Sequence, residues 1–202
     1  MRTTSTRRLL VVAGLLAVAC LLALPGPAAA GVRARYKTEY AGKLAGYAAA
    51  LQAQAARYAN NRDASAMLAD TMAGMVDDPE KHDELVAHEN FALGVYNQGK
   101  TLPQRAFLVY SKNVNTFKSK AKRYFASAAQ QRAFKRRCDQ LKSYGSMMVL
   151  LAMEHAYGSW AKLGIDPPAL DLAAQEIAAG DEDLAAGQTG SAAALAALRR
   201  LR

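Results

Sequence analysis

Two cysteines, three histidines and one tryptophan among 202 residues remove several kinds of protein at once. A disulfide-built miniprotein needs a dense cysteine framework, and a multi-histidine metal centre needs more imidazoles than this chain carries. Also missing are a G-x-S-x-G elbow, a phosphate-cradling glycine loop, an H-E-x-x-H pair and a C-x-x-C pair. The common signatures of serine hydrolases, nucleotide binders, zinc proteases and thiol oxidoreductases are therefore absent. No stretch shows clean period-two alternation, which argues against a half-buried sheet. With 51% hydrophobic and 21% charged residues, the chain is not of the disordered or low-complexity kind. It is long enough for one domain with a true core and too short for two large ones.

Long apolar runs are scarce, and the one that exists sits at the N-terminus. Arg2, Arg7 and Arg8 precede an apolar run of 16 residues, Leu9–Leu24, which Pro25-Gly26-Pro27 ends before Ala28-Ala29-Ala30. A basic start, an apolar centre and small residues at the cut are the parts of a secretory signal peptide over residues 1–30. The run falls short of the roughly 18 residues expected of a spanning helix. Ala17-Val18-Ala19-Cys20 partly resembles a lipobox, but it has Ala where Leu is usual and no polar tether follows. Cleavage after Ala30 leaves a chain from Gly31 with 23 basic and 17 acidic side chains. Cys138 is its only cysteine, so it forms no internal disulfide. The expected destination is the periplasm or the exterior.

What fills the rest is helical spacing. Tyr36, Tyr40, Leu44, Tyr47, Leu51, Ala55 and Tyr58 step by three or four and predict a helix over about 32–60. Gly42, Gly46 and Ala49 line another face of it. Glycine costs roughly 1 kcal/mol against alanine inside a helix, so this face is expected to take a neighbouring helix or a homodimer contact. Asn60-Asn61-Arg62-Asp63 is read as a break, followed by a short helix with Met67, Met72 and Met75. Asp78-Pro79-Glu80 starts the next helix, to about Asn97, with Gly99 as a left-handed stop. Thr101 with Gln104, and Ser127 with Gln130, read as capping boxes. Phe107, Tyr110, Val114, Phe117, Ala121 and Tyr124 form the clearest stripe. A long helix then runs to about Leu163, with Gly145 and Gly158 as points of bending. Asp166-Pro167-Pro168 opens a sixth helix to about Ala179. The expectation is thus an all-α bundle of five to six helices over 31–180. Residues 181–202 are expected to form an Ala/Gly-rich tail with at most a short helix through Leu195, Leu198 and Leu201.

Charge is segregated. Residues 64–98 hold seven acids and one base, whereas residues 99–142 hold twelve bases and one acid. Lys118 and Lys122 project away from the Phe107–Tyr124 stripe, and Arg132, Lys135 and Arg136 oppose Phe134 and Cys138. Such faces attract polyanions, anionic envelope components or an acidic protein partner, unless the acidic helix over 79–97 neutralises them. The aromatics lie on the buried stripe and no nucleic-acid motif accompanies the bases, which argues against sequence-specific nucleic acid binding.

Chemistry has few candidates. Glu84 and His88, four apart, share a helix face, and Glu154 adjoins His155. Met72, Met75, Met148 and His155 offer thioether and imidazole groups of the kind that suit Cu(I) or a haem iron, although methionine at helical spacing usually fills a core. Cys138 lies on the apolar stripe and reads as a buried, inert thiol. The residues assign no catalytic group and no cofactor. They describe an exported, non-enzymatic bundle that works through its basic faces. A metal- or cofactor-binding bundle and an envelope-polymer hydrolase are the alternatives.

Overall fold

A computed structural model describes residues 34–201; the signal peptide expected over residues 1–30 lies outside them. Among the described residues the protein is all-α, with helices α1 (Ala34–Ala73), α2 (His82–Gly99), α3 (Leu102–Ser119), α4 (Ala121–Tyr124), α5 (Ala128–Gly145), α6 (Ala152–Leu163) and α7 (Leu170–Arg199). A π-helical segment, Ser146–Leu151, joins α5 to α6. The disturbance expected at Gly145 therefore exists, while Gly158 sits inside an unbroken α6.

The apolar faces meet as their spacing requires. Tyr40, Leu44, Leu51 and Tyr58 of α1 and Tyr110, Val114 and Phe117 of α3 are buried. With Phe134, Cys138 and Leu141 of α5 they belong to one core. At one end of that core the rings of Tyr40, Phe117, Tyr124, Phe125 and Phe134 lie 5.2–6.3 Å apart between centroids. The Phe107–Tyr124 stripe is shared by two helices, because α3 ends at Ser119 and Ala121 and Tyr124 belong to α4. Ser127 accepts a hydrogen bond from the Gln130 backbone N–H at 3.1 Å and starts α5. Asp78 likewise accepts from Glu80 N–H at 3.0 Å and opens a 3-10 turn ahead of α2.

Several expectations are corrected. No break occurs at Asn60–Asp63, because α1 continues to Ala73. The polar side chains there find partners on other helices. Trp160 Nε1 donates to Asn61 at 2.9 Å, Tyr58 and Arg62 both donate to Asp181, and Ser65 pairs with Ser159 at 2.7 Å. Nor does a helix end at Gly180. α7 runs on to Arg199, burying Gly187, Gly190, Ser191, Ala194 and Leu198, so residues 181–199 are one helix with the residues before them. Gly99 has no left-handed backbone. It is helical and buried, with the Tyr157 ring in the space a side chain would take. Thr101 makes no side-chain cap. Finally, Gly42 and Gly46 are exposed, and a methyl group placed on either would meet nothing within 4 Å. No described helix covers the small face of α1 at these two positions.

Candidate functional site

The methionine and histidine candidates lie in different surroundings. Met72, Met75 and Met148 are buried in the core, and Met148 packs on Gly187. His155 is half-buried, and α7 engages its ring. Nδ1 lies 2.6 Å from Glu176 Oε2, and Nε2 lies 3.7 Å from Asp183 Oδ2. The carboxylates face opposite ring nitrogens, so they do not converge on one point, and the only imidazole of the set is already occupied. Among the described residues no group of three or more His, Cys, Asp or Glu is arranged to hold a metal ion. Glu84 and His88 stand 4.0 Å apart on α2 as an ordinary surface pair.

Cys138 is buried. Burial, reinforced by Asp139 and countered by Lys118 and Lys142, pushes its thiol up to about 12. A thiol held protonated in this way is a poor nucleophile. A cavity of about 360 Å³ opens between α2, α6 and α7, lined by Tyr96, Lys100, Glu154, Tyr157, Lys162 and Glu176. Its two cations and two carboxylates balance. Lys100 already donates to Asn97 and lies over the Tyr96 ring.

The basic faces are the larger feature. Lys122, Arg132, Lys135 and Arg136 are exposed, and none of them pairs with an acid among the described residues. Helical spacing sets Arg132, Lys135 and Arg136 on the side of α5 opposite Phe134 and Leu141. Lys118 differs. It is half-buried and donates to both oxygens of Asp139 at 2.6 Å, which joins α3 to α5. Lys142 reaches the same carboxylate at 3.1 Å. The one acid of this segment is thereby consumed by two lysines, and the two basic faces adjoin along that seam. The acidic helix α2 packs chiefly against α6. No ion pair among the described residues ties the acids of 64–98 to the bases of 99–142.

Comparison with known proteins finds no matching family model, no matching curated protein and no matching solved structure.

Asp139 has a measurable signature. Partial burial opposes its ionisation, but the hydrogen bonds and charges of Lys118 and Lys142 outweigh burial and hold its carboxyl below the ordinary 3.8. A carboxyl whose folded pKa is depressed stabilises the fold above its unfolded pKa. That contribution is lost as pH falls through the folded value. Asp139→Asn is expected to cost less than about 1 kcal/mol at neutral pH, since the pair is partly exposed. The difference between the two proteins in urea melts should shrink steadily as pH falls below 3.8.

Sequence reasoning missed Glu176, Asp181 and Asp183. Placed on one continuous helix, Glu176 and Asp183 are two turns apart and meet the same imidazole. A reading that ends the helix near Gly180 separates them.

Proposed function

We propose that this chain is an exported, non-enzymatic helical bundle whose outward basic face, built on α3–α5, holds an anionic component of the envelope. One observation carries the reading: Lys122, Arg132, Lys135 and Arg136 are exposed without acidic partners among the described residues. The acidic helix that was a candidate to neutralise them packs elsewhere. A face with this excess of one sign attracts polyanions at long range and holds them by many weak contacts. The contact is with charge and shape, so it needs no catalytic residue and no cofactor. Among the described residues no helix is long and apolar enough to cross a membrane.

Replacing Lys122, Arg132, Lys135 and Arg136 together by Gln should weaken binding to heparin, used as a generic polyanion, by at least tenfold. Circular dichroism should stay unchanged, because none of the four contributes to the core. Equal retention of both proteins on a heparin column would refute the reading. Export has its own check. Intact mass of the protein recovered from the periplasm or medium should correspond to a chain starting at Gly31. A diacylated chain starting at Cys20, or an unprocessed one in the membrane, would contradict cleavage after Ala30.

A further inference from the structure

The outer side of α3 adds an element that a soluble polyanion would not use. Leu108 is 65% exposed and Val109 63% exposed, with Leu102 exposed at the start of the helix. Helix α3 already buries Tyr110, Val114 and Phe117 on its inner side, so Leu108 and Val109 contribute nothing to the core. Their neighbours on the helix surface are cations. Arg105 stands three and four residues before them, and Lys112 four and three residues after, which places all four side chains on adjoining turns. Both Arg105 and Lys112 are exposed. At 1.5 Å and about 100° per residue, Lys118 and the seam with α5 lie about 15 Å along the helix from Leu108 and on a different side of it from Val109, so Arg105 and Lys112 are the cations beside this pair.

Large aliphatic side chains flanked by a cation on the turn before and another on the turn after match a bilayer interface. There the apolar groups enter the acyl boundary while arginine and lysine reach the phosphates. Anionic headgroups also attract the basic residues of α5 over a Debye length, before contact is made. We infer that the anionic component this protein holds is the surface of an anionic lipid membrane, docked peripherally, with Leu108 and Val109 as the apolar anchor and Arg105 and Lys112 as the cations beside it. This inference rests on the anion-binding reading above and names its partner. A soluble polyanion supplies the charges but nothing for the two aliphatic side chains to enter. Charge complementarity together with the exposed anchor therefore selects the membrane.

The test uses vesicles of phosphatidylglycerol mixed with phosphatidylcholine, vesicles of phosphatidylcholine alone, and heparin. Leu108→Ser with Val109→Ser should weaken binding to the anionic vesicles at least tenfold, leave heparin binding unchanged, and leave the circular dichroism spectrum intact. In a second variant, Leu108→Trp, anionic vesicles should shift the emission to the blue, and brominated lipid should quench it. Trp160 is buried and bonded to Asn61, so such a change reports position 108. If the serine variant binds anionic vesicles as the original does and the tryptophan shows no shift, the membrane inference fails while the anion-binding reading stands. Equal binding to both kinds of vesicle would also overturn it. Failure of the original protein to bind either heparin or vesicles would sink the underlying reading itself.

Discussion

A chain ended after Gly180 is expected to lose cooperative thermal unfolding altogether. The removed part of α7, residues 181–199, supplies Leu198, 2% exposed, and the buried Ala194 and Ser191. It also supplies Leu184 and Leu195, which pack against the core. Fully burying one leucine is worth roughly 1.5–3 kcal/mol, and a domain of this kind is stable by only about 5–15 kcal/mol. Several such losses together exhaust that margin. The cut also uncovers Met148 and Tyr144, against which Gly187 and Gly190 sit, and takes Asp181 from Tyr58 and Arg62. A milder version keeps the helix. A methyl group at position 187 would stand 2.8 Å from both the Met148 backbone nitrogen and the Tyr144 carbonyl oxygen. Gly187→Ala should therefore destabilise by about 1–3 kcal/mol, although alanine is the better helix former. If the shortened chain melts as sharply and at the same temperature as the full one, α7 does not close this core.

Phe117→Ala should cost about 3–5 kcal/mol in denaturant melts. Phe117 is 3% exposed, stacks on Tyr124 at 6.3 Å and meets Tyr47 edge-on at 5.9 Å. Truncation would leave a cavity walled by rings from α1 and α4, and rigid rings collapse poorly into such a space. Thr116, the preceding residue, is exposed, and Thr116→Ala should change stability by no more than about 0.5 kcal/mol. Similar losses from the two substitutions would mean that α3 is rotated relative to the phase described.

That phase was legible in the sequence because one helix face carries its own record. Tyr110, Val114, Phe117 and Tyr124 repeat at the helical period, and a cap such as Ser127 acts within four residues. Other features were not legible, since they are settled between distant segments. Asn60-Asn61-Arg62-Asp63 has the composition of a break, yet Asn61 meets Trp160 and Arg62 meets Asp181, 99 and 119 residues away. Gly180, Gly187 and Gly190 look like helix breakers because propensity counts their backbone freedom and not what approaches them. In the fold each lets another helix come within side-chain distance, and packing overrides propensity. The basic faces were visible as a list of residues. Which of those residues are free to bind was not. Lys118 and Lys142 are engaged by Asp139, a fact that depends on α3 lying against α5.

Whether the exposed cations of this face hold an anionic partner is decided by the salt dependence of binding. Dissociation constants for heparin should be measured from low to physiological salt, for the original protein and for the variant carrying Gln at 122, 132, 135 and 136. Exposed charges are screened over about 8 Å at 0.15 M ionic strength, and each cation bound to a polyanion releases counterions. Affinity should fall steeply with salt, and the slope of log affinity against log salt should become clearly shallower in the variant. Binding insensitive to salt, identical slopes for the two proteins, or no binding by the original protein at low salt would contradict the assignment of this face.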